Sequence, residues 1–346
     1  MEYHVDVLLR DRHSNEDVFK RVHAVRPLTD PQIINVPYVT ESSRVNLIIP
    51  VLPDDVACAI NLLDDFWRSC VETEDNSVLY FVFVYVRGEA RRDANDKDVF
   101  EMLRYSVDFK YPRMMGNVVV DKRIKYHEIT ADSSEINQFA VIDAVLTKER
   151  TTTSPRLFML GDCAMSISGD LLNRVRMHTI EKLIVFFPVA FWLYKPNLSQ
   201  EKRPYTKFNP NRDHAHKTGH WDLNQYVHAS FYSTDYKYAR KLMYAAKGLN
   251  TDYDHSIDLL EMFLKFHRNI YVLRPLEPLL YQSYRPKRCH EHSKIKGQYS
   301  RCLRSKAEDL ASRSQLALAV VKDLAEKQKE QLQKPKNVDQ IQPDMG

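Results

Sequence analysis

The hydrophobic pattern of the chain alternates between short apolar runs and amphipathic stretches. Val45–Val51 ("VNLIIPV") is an almost unbroken apolar run, the signature of a strand covered on both faces. Asp54 and Asp55 then lead a helical pattern through Arg68, with acids suitably placed at a helix start. Val78–Val86 ("VLYFVFVYV") is the strongest strand in the chain and reads as central. A helix near Asp96–Phe109 and a short strand at Asn117–Val120 follow. Ser133 and Ser134 then lead a helix to Thr147. The strand Arg156–Leu160, the helix Ser168–Met177 and the strand Leu183–Pro188 continue the alternation. A helix over Ser256–Phe266 and a strand over Ile270–Leu273 come later. Segment 305–333 carries Leu, Ala and Val at helical spacing and reads as one surface helix packing a face on the core.

This order of elements predicts an α/β domain with a mostly parallel central sheet over 45–333. Residues 1–44, spaced by Pro27, Pro31 and Pro37, read as an irregular lead-in with a short helix near Met1–Arg10. Residues 334–346 read as a disordered tail.

In such sheets ligands collect at the carboxyl ends of the strands. The stretch "LFMLGDCAMSISGDL" (Leu157–Leu171) puts a small acidic turn, Gly161-Asp162-Cys163, at one of those ends. A divalent metal site wants two carboxylates there, and this turn has one. The chain contains neither a Gly-x-Gly-x-x-Gly fingerprint nor a P-loop, so nothing points to a dinucleotide or a P-loop nucleotide.

Composition narrows the picture modestly. With 19 Tyr, 15 Phe and only 8 Gly in 346 residues, the chain is globular, and a net charge of +4 selects no partner. Charge is local instead. Arg285, Lys287, Arg288, Lys294, Lys296, Arg301, Arg304 and Lys306 are offset within their segment by Glu291 alone. They suit either an ordinary solvated face or a seat for a polyanion. No nucleic-acid module accompanies them, so nucleic acid is not expected. The longest apolar run, Leu183–Tyr194, is too short to span a bilayer, and no signal peptide is expected at Met1.

Further features carry candidate chemistry. Cys289 and Cys302 flank a loop that a disulfide could close; two free thiols are the alternative. Cys58 and Cys70 lie too far apart on one helix to bond. Asn197-Leu198-Ser199 is a glycosylation sequon. His214, His216 and His220, beside Asp213 and Asp222, suit either an ordinary loop or a Zn²⁺ site.

Four blocks, "PYVTESSRVNLIIPV", "FFPVAFWLYKP", "GHWDLNQYVHASFYSTDY" and "YVLRPLEPLLYQSYRPKRC", resemble the chondroitin N-acetylgalactosaminyltransferase family. "MEYHVDVLLR" and "RVHAVRPLTDPQIINVPYVTESSRV" are most similar to its polymerising-factor branch. The resemblance runs from Met1 to about Val321. It implies a GT-A glycosyltransferase fold and a Golgi-lumenal type II membrane protein with two glycosyltransferase-like halves. This chain matches the second half, and Met1 falls at an internal position, so a fragment or short isoform is expected.

Active members of that family hold Mn²⁺ on an Asp-x-Asp turn, carry an acid/base carboxylate in a Gly-Trp-Gly-x-Glu-Asp segment, and add a late His to the metal. Here the turn falls on Gly161-Asp162-Cys163, the Glu-Asp pair on about His255-Ser256, and the late His on Gln282. The resemblance thus leaves Asp162 as the metal position and Asp254 or Asp258 as acid/base candidates. Trp221, Asp222, Arg285, Lys287 and Arg288 are the candidate substrate contacts, and the Cys289/Cys302 pair belongs to the retained framework. Two functions follow as expectations. One is a catalytically degenerate partner that supports a chondroitin synthase in a hetero-complex, with residues 1–44 as contact surface. The other is a working hexosyltransferase adding GlcA or GalNAc from a UDP-sugar with Mn²⁺. A chondroitin-holding role for the basic segment accompanies either.

Overall fold

The computed structural model describes residues 2–10, 17–25, 43–89, 91, 97–110, 123–148, 154–196, 218–247 and 256–333. The first two strands, β1 (Glu2–Arg10) and β2 (Asp17–Val25), pair antiparallel as a hairpin from Glu2↔Val25 to Arg10↔Asp17. This corrects the helix expected near Met1–Arg10. Tyr3, Val5 and Val7 alternate with His4 and Asp6, a period of two, which suits a strand and not a helix.

The main sheet has seven strands in the order β11-β7-β10-β6-β3-β4-β5. Its centre is β3 (Val45–Val51), parallel to β4 (Val78–Val86) on one side and to β6 (Leu157–Leu160) on the other. β5 (Ile124–Ala131) adds parallel to β4. β7 (Ile184–Phe186) and β11 (Tyr271–Leu273) are mutually parallel, and β10 (Ala229–Tyr232) runs antiparallel between β6 and β7. The sheet is thus mostly parallel, as the sequence predicts. The strand expected at Asn117–Val120 lies outside the described residues. A smaller sheet, β12-β8-β9, is built from β8 (Val189–Leu193), β9 (Gly219–Trp221) and β12 (Leu276–Gln282).

Every residue of β4 is buried, and alternation sends its side chains to two cores. Leu79, Phe81 and Phe83 meet helix α1 (Val56–Phe66), α2 (Glu101–Tyr105) and α4 (Gly169–His178). Val78, Tyr80 and Val82 meet α3 (Gln138–Lys148), α5 (Ser233–Lys247) and α6 (Leu259–Phe266) on the other face. Helices therefore cover both faces, which is why β3 and β4 can be apolar throughout. Ser168 caps α4 by accepting from the Leu171 amide at 3.2 Å.

The C-terminal segment departs from expectation. Two helices, α7 (Gln298–Glu308) and α8 (Arg313–Gln333), replace the single helix expected over 305–333. α8 does not press an apolar face on the core: Leu318, Val320, Val321 and Leu324 are exposed. Its apolar residues have helical spacing, yet of the larger ones only Leu316, near its start, is half-buried. Among the described residues no helix is long and apolar enough to cross a membrane.

Candidate functional site

The turn after β6 sits where the parallel strands end. Gly161 is closely packed there: a Cβ would run into the Met165 side chain and lie 3.0 Å from that of Ile49. β12 reaches the same place. Ser166 donates its amide to the Tyr281 carbonyl at 2.9 Å, and the Ser283 amide donates to the Ala164 carbonyl at 2.9 Å. Those bonds carry Gln282, from 120 residues downstream, onto Asp162.

Each oxygen of the Asp162 carboxylate has protein donors. Oδ1 accepts from the Ala164 amide at 2.9 Å and from Gln282 Nε2 at 2.6 Å. Oδ2 accepts from the Arg285 guanidinium, which also donates to Asp55 Oδ1 at 3.0 Å and to Cys163 Sγ at 3.2 Å. Burial opposes the charge on Arg285, but the Asp162 and Asp55 carboxylates outweigh it and hold the guanidinium protonated. The Cys163 thiol is pushed up, first by a hydrogen bond with Cys58 and then by burial, so it stays a neutral thiol. Behind Gln282 lies His228, almost fully buried. Burial lowers its pKa to about 4, so it is a neutral imidazole.

The neighbouring cations face inward too. Lys287, 8 % exposed, donates to Asp222 at 2.6 Å and to Ser305, lies 2.8 Å from Asp309, and stands 3.7 Å from the Trp192 ring centre. Burial works to raise Asp222, yet Lys287 and Ser305 hold it below the usual carboxylate range. Asp309, by contrast, is raised to about 6 by burial. Arg288 reaches Asp54 at 2.8 Å. A disulfide between Cys289 and Cys302 ties this segment to α7. Of the bridge and the two free thiols left open by the sequence, the structure has the bridge. Cys58 and Cys70 stay free.

Arg285, Lys287 and Arg288 thus contact aspartates of their own chain and do not form an open basic face. Asp55 and Asp309 escaped sequence reasoning. Asp55 looked like an ordinary helix-leading acid, and Asp309 belongs to a helix end that no pattern links to residue 287.

A cavity of about 1160 Å³ opens beside the turn, with Asp55, Asp162, Trp192, Asp258, Arg285 and Arg288 in its wall. Asp258 caps α6, accepting from the Glu261 amide at 2.8 Å, and takes Arg301 at 3.2 Å on its other oxygen. Burial nevertheless raises its pKa. Trp221 packs edge-on against Phe191 and does not border the cavity. Asp254, Asn197, His214 and His216 lie outside the described residues. His220 does meet Asp222 and Glu308 closely enough to suggest a cation site. The ammonium of Lys287 already fills that need on Asp222.

Mn²⁺ wants several oxygen donors. At this turn it would meet two carboxylates, Asp162 and Asp55, already bridged by a resident guanidinium, together with a protonated thiol and an amide. The residues present do not fit that ion.

The sequence profile of the chondroitin N-acetylgalactosaminyltransferase family matches residues 1–316. The chain belongs to this family. It is 31% identical over 321 residues to a mouse protein named chondroitin sulfate synthase 2, covering 92% of this chain and 39% of that one. It is 27% identical over 337 residues to a human chondroitin sulfate glucuronyltransferase, covering 92% and 42%. The chain therefore spans about two fifths of the length of these relatives. Its fold is GT-A-like: a mostly parallel sheet between helices. Among solved structures, a mannosyltransferase from Pyrobaculum calidifontis with GDP-Man and Mn²⁺ aligns over 86% of this chain and 84% of its own. That match has 11% identity and a TM-score of 0.36, too loose a superposition to bear on the site.

Proposed function

We propose that this chain is the non-transferring member of a chondroitin-elongating pair, a glycosyltransferase domain that supports a chondroitin synthase by contact. The observation that carries this reading is the Asp162 carboxylate. It stands at the strand end where the family places its metal, yet both oxygens are engaged by Ala164, Gln282 and Arg285. The domain works in the Golgi lumen, an oxidising compartment in keeping with the Cys289–Cys302 bridge. It brings structure to the complex, and the partner brings the UDP-sugar chemistry.

The test has two arms. Calorimetry with UDP and Mn²⁺ is expected to show no binding, and co-expression with a chondroitin synthase is expected to show co-purification and faster polymerisation. Micromolar, Mn²⁺-dependent UDP binding abolished by Asp162→Ala would overturn the reading. So would failure to associate with the synthase.

One observation favours a second reading, a working hexosyltransferase. Asp258 shares the cavity wall with Asp162, and burial raises its pKa in the direction a general base requires. On this reading Asp258→Asn abolishes sugar transfer by the isolated chain while leaving its fold intact. A preparation that transfers neither GlcA nor GalNAc removes it.

A further inference from the structure

We propose that Arg285 is a built-in cation that has taken the place of the divalent ion, and that the strand-end turn is a latent metal site which Arg285 keeps closed. This rests on the reading of the cleft as one that works without metal.

The geometry is specific. One guanidinium bridges two carboxylates from distant parts of the chain, Asp55 at the start of α1 and Asp162 after β6. Each is about one-tenth exposed, so neither has ample water to screen it from the other. Two such groups converging on one point need a cation between them. Arg288 does not supply it, because it lies 3.9 Å from Asp55 and is taken up by Asp54 at 2.8 Å. Cys163 completes the ring of donors, its sulfur 3.2 Å from the same guanidinium. Behind it lies the buried side-chain amide of Gln282, which already donates to Asp162. Delete the guanidinium, and Asp55, Asp162 and Cys163 surround a vacated position with a further oxygen nearby.

The donor types also say which ion would enter. Two carboxylates and a thiol suit Zn²⁺ or Co²⁺ better than Mn²⁺, because a thiolate is a soft ligand and is deprotonated by the metal it binds. In the natural chain none of these ions competes with Arg285, since the side chain is tethered to the site and an ion must arrive from solution.

The experiment compares the natural chain with Arg285→Gln and Arg285→Lys, titrated with Co²⁺ and followed by the thiolate-to-cobalt absorption band and by calorimetry. The natural chain and Arg285→Lys are expected to bind Co²⁺ only weakly at this turn and without the absorption band. Arg285→Gln is expected to bind it roughly 100-fold more tightly or better, the equivalent of relieving an uncompensated buried charge. Adding Cys163→Ser should remove the band, and adding Asp162→Asn should remove the binding. If Arg285→Gln is unstable alone, Zn²⁺ or Co²⁺ during refolding should restore its melting transition. Arg285→Gln that gains neither binding nor stability from these ions overturns the proposal and leaves the non-transferring role untouched. Asp162-dependent Mn²⁺ and UDP binding by the natural chain overturns both.

Discussion

Lys287 stands over Trp192, its ammonium 3.7 Å from the ring centre, with Asp222 at 2.6 Å and Asp309 at 2.8 Å completing its surroundings. A buried ammonium held by an aromatic face and two carboxylates is a structural cation. Lys287→Met should cost about 3–5 kcal/mol, because Asp222 and Asp309 are left facing each other without compensation. Urea denaturation measures the loss, and the triple change Lys287→Met, Asp222→Asn, Asp309→Asn should recover most of it. Recovery of none would mean that the stem of Lys287 packing on Trp192 matters more than its charge.

Asp309 gives the domain a pH dependence of defined sign. Its folded pKa, about 6, lies above the ordinary carboxylate value of 3.8, so the folded state holds this proton more tightly than the unfolded chain. Its contribution therefore falls as pH rises from about 4 to about 6, and the loss is complete above that window. Asp309→Asn should flatten this component, on the order of 2 kcal/mol between pH 4.5 and pH 7. Asp222, held low, acts in the opposite sense only below its ordinary range. Denaturation midpoints of both proteins at the two pH values check the sign.

The Cys289–Cys302 bridge fastens the 285–288 segment to α7. Replacing both cysteines with Ser should remove about 3 kcal/mol by the chain-entropy estimate. A melting temperature unchanged by the double substitution, or by reduction of the natural chain, would show that the salt bridges alone hold the segment.

Gly161→Ala should destabilise by about 1–3 kcal/mol, since the new methyl must displace Met165 or Ile49 at the end of the central sheet. Stability within 0.5 kcal/mol of the parent, a roughly neutral result by the usual scatter of mutational data, would mean Met165 swings away freely.

Removing residues 313–346 should change the melting temperature little, because Leu318, Val320, Val321 and Leu324 of α8 are exposed and add little burial to the domain. A large drop would place α8 against a surface.

The core was legible because its signal is local. Val45–Val51, save for Asn46, and Val78–Val86 are apolar throughout, and strands covered by helices on both faces have that pattern. The hairpin at Glu2–Val25 was missed through the weight given to charge and Pro over the two-residue alternation of Tyr3, Val5 and Val7. α8 was misplaced because spacing reports that a helix has an apolar face, never that anything covers it. At the site, Asp162 and Gln282 were found by resemblance, and the structure does bring them together. The pairing of Arg285 with Asp55 was invisible: 230 positions separate two residues that each had an ordinary local explanation.

The four-residue stretch Arg285–Arg288 has a consequence for how the molecule is made. Asp54, Asp55, Asp162 and Asp222 leave the ribosome well before the cations that neutralise them. Until then the strand ends carry an acidic mouth with no internal counter-charge, and like charges there resist closure. The last fifth of the chain acts as a clasp: its arrival converts a repelling rim into a locked one. A nascent chain halted before residue 285 would keep that mouth open, and would differ from the finished domain chiefly in its avidity for stray cations.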